Sequence, residues 1–151
     1  MTAYPDTSFL YGFYLTQSNS PAAAAHAATM KEPLHITELL WYEFRQSLRF
    51  QVWRRAGNPV EGVAEADADA ALNQLEADLA SGVALLVPCN LVEALRRADD
   101  LSKRHTITGG HRSFDILHVA AALVSEADEF LTFDERQRKL AAAEGLKVKP
   151  Y

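Results

Sequence analysis

The stretch from Ser113 to Asp134, SFDILHVAAALVSEADEFLTFD, constrains the fold more than any other part of the chain. Its first half puts apolar side chains on nearly every helical face: Phe114, Ile116, Leu117, Val119, Ala120, Ala121, Leu123 and Val124. A helix apolar all round is a buried helix, in a protein core or in a membrane. The run is too short and too polar at its ends to span a bilayer, so it belongs in a core. Asp115 and His118 share one face of it. A carboxylate in such surroundings is costly unless it is paired, hydrogen-bonded or bound to a metal. The second half, residues 129–133, has the β-branched and aromatic content of a short strand and ends on Asp134. Two acids therefore need an explanation, one in a core helix and one at a strand end.

Composition narrows the classes. The chain has 151 residues, 48% of them hydrophobic, enough for one domain (residues 1–151) with a real core. A single cysteine, Cys89, rules out an internal disulfide and a multi-cysteine zinc site, and reads as a small buried residue. The opening MTAYPDTSFL has no basic region followed by an apolar run, and no segment has the length of a membrane span. The expectation is a soluble, cytoplasmic protein with no membrane partner. A net charge of −5 argues against a basic, non-specific nucleic-acid binder. It leaves room for an enzyme that meets phosphates through metal ions, because the acids that hold the ions lower the net charge themselves.

In chain order, residues 2–5 form a short extended segment, and Asp6 lies between that strand and a helix marked by Phe9, Leu10, Phe13 and Tyr14. Capping alone would account for an Asp in that place. Pro21 opens an alanine-rich helix over 22–30, with His26 as a surface or packing residue, and Leu34-His35-Ile36 is a second strand. The next helix starts near Thr37, with Leu40, Phe44 and Leu48 as its apolar stripe and Glu43 beside that stripe, readable as a partner for a helix arginine. Residues 56–65 read as a loop or hinge. An acidic helix over 67–80 follows, with Asp67, Asp69, Glu76 and Asp78 as its solvated face, and Gly82 stops it. The apolar run 83–87 reads as a buried parallel strand. A helix marked by Leu91, Leu95, Ala98 and Leu101 leads to a flexible loop over 106–112, before the central helix. After Asp134 come a helix over 135–144 and a last strand over 146–148.

Strands alternating with helices imply an α/β fold with a mainly parallel sheet covered on both faces. Sites in such sheets form at the carboxyl ends of strands. Asp6 and Asp134 both follow strands, so they share one rim, where Glu43 and Asp115 also reach. Like charges at close range repel, and divalent cations remove the difficulty. Carboxylates and water are the ligands Mg²⁺ and Mn²⁺ prefer.

The opening YPDTSFL, the acid in LLWYEFRQSL, the central SFDILHVAAAL and the closing EFLTFDERQRKLAAAEGLKV together resemble PIN-domain ribonucleases, and among them the VapC-type toxins of bacterial toxin–antitoxin pairs. The four segments run from one end of the chain to the other in the family's order. The resemblance implies that Asp6, Glu43, Asp115 and Asp134 are catalytic, metal-binding acids, that Ser8 supports the first, and that Thr132 orients the last. Pro5 departs from the family pattern, standing where an apolar strand residue is usual, which shortens the first strand. The long acidic segment 57–69 is a second departure.

The implied activity is metal-assisted hydrolysis of RNA phosphodiester bonds, with Mg²⁺ or Mn²⁺ as cofactor, leaving a 5′-phosphate and a 3′-hydroxyl. Arg45, Arg49, His111 and Arg112 are candidates for docking the RNA backbone. His118 reads as structural, a helix-face partner for Asp115 or the core. The implied partners are RNA, a cognate VapB-like antitoxin, and a second copy in a homodimer to which Trp53 or its neighbours contribute. The competing readings are a housekeeping PIN-fold nuclease, a non-catalytic protein-binding PIN module, and an aspartate-based phosphatase, in which Ser8 would occupy the place of the proton-donating acid.

Overall fold

The computed structural model describes residues 1–150. Among them, five short strands form one parallel sheet: β1 (Ala3–Pro5), β2 (Leu34–Ile36), β3 (Ala84–Leu86), β4 (Glu129–Leu131) and β5 (Lys147–Lys149), in the spatial order β3-β2-β1-β4-β5. Helices α1 (Thr7–Tyr14) and α2 (Ser20–Ala27) join β1 to β2, and α3 (Glu38–Gly57) and α4 (Glu65–Ser81) join β2 to β3. α5 (Leu91–Gly109) and α6 (Ser113–Val124) lead to β4, and α7 (Glu135–Ala143) leads to β5.

The chain moves to one side of β1 through β2 and β3, then crosses to the other side for β4 and β5. Parallel crossovers are right-handed, so opposite directions of travel place their helices on opposite faces. The packing agrees: α1 touches α2, α3 and α4, whereas α6 touches α5 and α7. The direction of travel reverses between β1 and β4. The carboxyl ends of the strands flanking such a reversal are where open α/β sheets bind ligands.

The sheet core is aromatic at its centre, with Tyr4 and Phe130 stacked across β1 and β4 at 5.9 Å between ring centroids. Pro5 remains inside β1, opposite Leu131. The next amide, Asp6 N–H, donates to the Leu131 carbonyl at 2.9 Å, so the alternation of the strand aims position 5 toward β2. Proline has no N–H to offer there, and β1 pairs with β2 only at Ala3 and Leu34. Local chemistry sets the helix ends too. The Thr37 hydroxyl accepts the Leu40 N–H at 3.2 Å at the start of α3, and Gly82 takes the left-handed conformation (φ 83°) that closes α4.

The structure corrects three expectations. Residues 106–109 are helical rather than a flexible loop, because α5 continues until Gly110, in left-handed conformation, donates its N–H to the Thr106 carbonyl at 2.8 Å. β3 is an outer strand rather than a buried one, with Leu85 42% and Leu86 48% exposed. Asp78 is buried rather than solvated, accepting the Tyr14 hydroxyl at 2.7 Å and the Gln74 amide at 2.9 Å. Trp53 is 68% exposed and lies against Phe50. No helix among the described residues is long and apolar enough to cross a membrane.

The segment after α3 is seated on that helix. Val63 N–H donates to the Gln51 carbonyl at 3.2 Å, and Arg54 pairs with Glu61 at 2.7 Å. Gly62 makes the approach possible: its φ is 72°, and a Cβ there would run into the Gln51 carbonyl oxygen. Gly62→Ala should therefore cost about 1–3 kcal/mol from backbone strain alone, and more from the clash. Gly57→Ala, in the last turn of α3 with open space around it, should be neutral or stabilising by up to about 1 kcal/mol. Urea denaturation of the two variants checks the contrast.

Candidate functional site

Asp6 follows β1 directly and caps α1, and it is only 2% exposed. Burial of a carboxylate demands donors. The Phe9 N–H (2.8 Å) and the Ser8 hydroxyl (2.7 Å) donate to Oδ1, and the Thr132 hydroxyl (2.6 Å) donates to Oδ2. Ser8 Oγ also accepts the Phe133 N–H at 2.8 Å, and Thr132 Oγ1 accepts the Asp134 N–H at 2.9 Å. The first acid and the last are thus tied through two hydroxyls. Thr132 reaches Asp134 by its backbone while its proton goes to Asp6. Burial pushes the Asp6 carboxyl up to about 6, against the opposing pull of Thr132, the Phe9 N–H, Ser8 and the charge of His118.

Glu43 lies in α3, on the helical layer opposite α6, yet it meets His118 of α6 over the rim. His118 Nε2 and the Thr7 hydroxyl both contact Glu43 Oε2, each at 2.5 Å. Burial pushes the Glu43 carboxyl up, but His118, Thr7 and the Arg112 charge together hold it below the usual carboxylate range. His118 is 1% exposed, and its Nδ1 lies 2.9 Å from the Tyr4 hydroxyl, which in turn lies 3.2 Å from Thr37 Oγ1. Burial drives the Tyr4 hydroxyl far above its ordinary range, so it remains a donor. The partner of His118 is therefore Glu43, across the rim, and not Asp115 in its own helix.

Asp115 instead accepts from Arg112 Nε at 3.0 Å. The Arg112 side chain is 77% exposed, and Asp115, Asp134 and Glu43 all act on its guanidinium, which they hold above its ordinary pKa, Asp115 foremost. Asp134 caps α7, accepting the N–H groups of Arg136 (2.8 Å) and Gln137 (2.9 Å) through Oδ1. Gln137 is buried and donates its side-chain amide to the Asp115 carbonyl at 3.2 Å, which ties α7 to α6 beneath the acids.

The four acids named from the sequence thus fall on one rim, joined by hydroxyls on one side and by Arg112 on the other. Of the other cations, His111 feels Asp115 and Asp134, but burial holds its pKa below the ordinary value. Arg45 stacks over Trp41 at 4.6 Å, and Arg49 is exposed on α3. Tyr4, Thr7 and Gln137 enter the network without having been singled out in the sequence, and Thr37, read there only as the start of a helix, joins them. Thr7 had a signal, adjacency to Asp6 in Asp-Thr-Ser, and so did Tyr4, on the same strand face as Asp6. Gln137 had none.

Among the described residues, no three His, Cys, Asp or Glu side chains close into a ready-made metal cage. The donor chemistry still fits a hard, water-keeping ion, which takes one or two carboxylates and retains several waters. Arg112 already lends positive charge to three of the acids, as such an ion would.

Residues 3–143 match the family model of the PIN domain, and the chain belongs to that family. Two solved structures share the fold. VapC20 of Mycobacterium tuberculosis, described as a sarcin–ricin loop cleaving toxin, is 17% identical with a TM-score of 0.66, over 99% of this chain and 100% of that one. PAE2754 of Pyrobaculum aerophilum is 22% identical with a TM-score of 0.55, over 98% of this chain and 83% of its own. No curated protein matches.

The raised carboxyl of Asp6 makes stability depend on pH. Its folded value of about 6 lies above the ordinary 3.8, so the folded state binds the proton more tightly. That contribution is fully present below about 3.8 and is lost as pH rises through about 6. Without added metal, Asp6→Asn should therefore be more stable than the parent at neutral pH, by up to roughly 3 kcal/mol, and the gap should close on acidification towards pH ~4. Parallel melts across this range test the sign, and a gap that widened on acidification would refute it.

Proposed function

We propose that this PIN domain, acting as one unit over residues 1–151, is a metal-dependent endoribonuclease and the toxin of a toxin–antitoxin pair. The observation that carries the reading is the rim itself. Asp6, Glu43, Asp115 and Asp134 are gathered at the strand reversal of a PIN-family sheet, and the single exposed side chain of Arg112 answers three of them.

In this reading the four acids hold one or two Mg²⁺ or Mn²⁺ ions. When bound, the metal supplies positive charge to the scissile phosphate and acidifies a bound water. The chain's own residues do the rest. Asp6 is pinned by Ser8, Phe9 and Thr132, so one carboxylate keeps its orientation throughout. Glu43 is held on one oxygen, Oε2, by Thr7 and His118, and Oε1 takes part in neither contact. Arg112, long and exposed, exchanges its carboxylate partner for a phosphate oxygen of the RNA. An exposed ion pair of this kind is worth at most about 1 kcal/mol, so the exchange is easy.

The likeness to VapC20, described as a sarcin–ricin loop cleaving toxin, supports the assignment to a toxin; a VapB-like antitoxin, a homodimer and a cytoplasmic setting belong to the same proposal. Exposed Phe50 and Trp53 supply apolar surface for assembly. Light scattering should give a mass near twice 16.7 kDa, and Trp53→Ala should move it towards the monomer without unfolding the chain.

Cleavage of a panel of structured RNAs, a sarcin–ricin loop hairpin among them, tests the activity. It should stop with EDTA, return with Mg²⁺ or Mn²⁺, and be abolished by Asp6→Asn or Asp115→Asn in folded protein. Cleavage unaffected by either substitution would exclude the rim as the site. Arg112→Ala separates the two duties of the arginine: with a competing cation removed, Mn²⁺ should bind more tightly, while KM for RNA should rise. Weaker Mn²⁺ binding instead would remove Arg112 from competition with the ion.

A further inference from the structure

We propose that His118 is a positioning residue for Glu43, presenting that carboxylate to the metal through a hydrogen-bond relay that begins at the backbone of α3. The inference rests on the assignment of Glu43 to the metal site made above.

With a neutral imidazole, the Glu43 carboxylate can only accept from Nε2–H, and one direction of the relay then satisfies every group in it. In that direction Thr37 Oγ1 accepts the Leu40 N–H at 3.2 Å and gives its own proton to the Tyr4 oxygen, 3.2 Å away. The Tyr4 proton then goes to His118 Nδ1 at 2.9 Å. With Nδ1 serving as acceptor, the ring proton lies on Nε2, the nitrogen facing Glu43 Oε2. Each donor has one acceptor, and none is left over.

The placement argues for more than a satisfied core histidine. His118 lies in a helix whose surrounding residues, from Ile116 to Ala122, are otherwise apolar and buried, where an aliphatic side chain would need no partner at all. The relay draws on three elements, α3, β1 and α6, and joins helical layers on opposite faces of the sheet. It therefore fixes the position of α3 relative to α6 at the point where the acids meet. Both bonds to Glu43 fall on Oε2, so the carboxylate is clamped at one oxygen while the other takes part in neither contact. Metal-ligating carboxylates are characteristically held from behind in this way, and loss of such a partner costs on the order of 10- to 100-fold in metal affinity.

The test uses the full chain, with Mn²⁺ as probe for calorimetry, and RNA cleavage as a second readout. His118→Leu should weaken Mn²⁺ binding by about 10- to 100-fold. His118→Gln, whose amide N–H can stand in for Nε2–H, should recover most of that loss. In a Glu43→Gln background, His118→Leu should add little, because the carboxylate it serves is gone. Tyr4→Phe, which frees Nδ1, should weaken binding in the same direction by less. Metal-free ¹⁵N spectra at about pH 8, above the ordinary histidine range, should show the ring protonated at Nε2, and Mg²⁺ should move its signals in the parent but not in Glu43→Gln.

Undiminished Mn²⁺ affinity in folded His118→Leu, equal loss in the leucine and glutamine variants, or a proton on Nδ1 would each overturn the inference. Should the leucine variant fail to fold, the glutamine and Tyr4→Phe variants and the spectra decide it. Failure of the underlying reading looks different: Glu43→Gln would itself bind Mn²⁺ and cleave like the parent. That result takes Glu43 out of the site, and His118 with it.

Discussion

A carboxylate buried at the end of the central strand is the constraint to which the rest of the structure answers. Asp6 is almost wholly buried, so its donors come from protein, and they come from two separate turns: Ser8 and Phe9 after β1, Thr132 after β4. The hydroxyls that solvate it also bind the backbone at Phe133 and Asp134. Satisfying one acid thus locks two strand ends to each other. This matters because the strands are short and Pro5 removes a donor from the β1–β2 ladder, so the sheet alone holds its rim weakly. The cost of burial remains visible in the raised carboxyl of Asp6.

Much of this was legible in the sequence because it is local. The five strands, their alternation with helices, the cap at Asp6, the start of α3 at Thr37 and the stop at Gly82 all follow from residues within a few positions of one another. Where the reading went wrong, the missing information was tertiary or ambiguous. Gly109-Gly110 suggested a loose loop, but a glycine after a helix marks where the helix closes, and α5 runs up to it. The apolar run 83–87 reveals a strand but not its place in the sheet, and the observed order puts β3 outermost. Asp78 has the spacing of a solvated acid, and only the approach of Tyr14 from α1 buries it.

His118 shows the same limit at the site itself. Three residues from Asp115 on one helical face, it had an obvious partner in sequence. The structure gives Asp115 to Arg112, one turn earlier at the helix start, and gives His118 to Glu43 from the other layer. No spacing along the chain contains that contact. Asp6, Asp115 and Asp134 were legible because each stands next to a strand end or a helix start, and Glu43, well inside α3, only through the family resemblance; the groups that orient them come from whichever element the sheet brings alongside.

The two basic partners at the rim differ in a way that bears on function. His118 is sealed in the core with both nitrogens engaged, so its grip on Glu43 cannot be given up without leaving a buried polar ring unpaired. Arg112 is mostly exposed, and its bond to Asp115 sits in water, where screening leaves such pairs little net worth. One partner is fixed and the other exchangeable. An acidic chain with a net charge of −5 repels an RNA backbone at long range, so a rim of four acids can meet a phosphate only if cations intervene. In the proposed reaction the exchangeable arginine covers the acids until an ion arrives, then turns to the phosphate. The buried histidine keeps the geometry unchanged through both states.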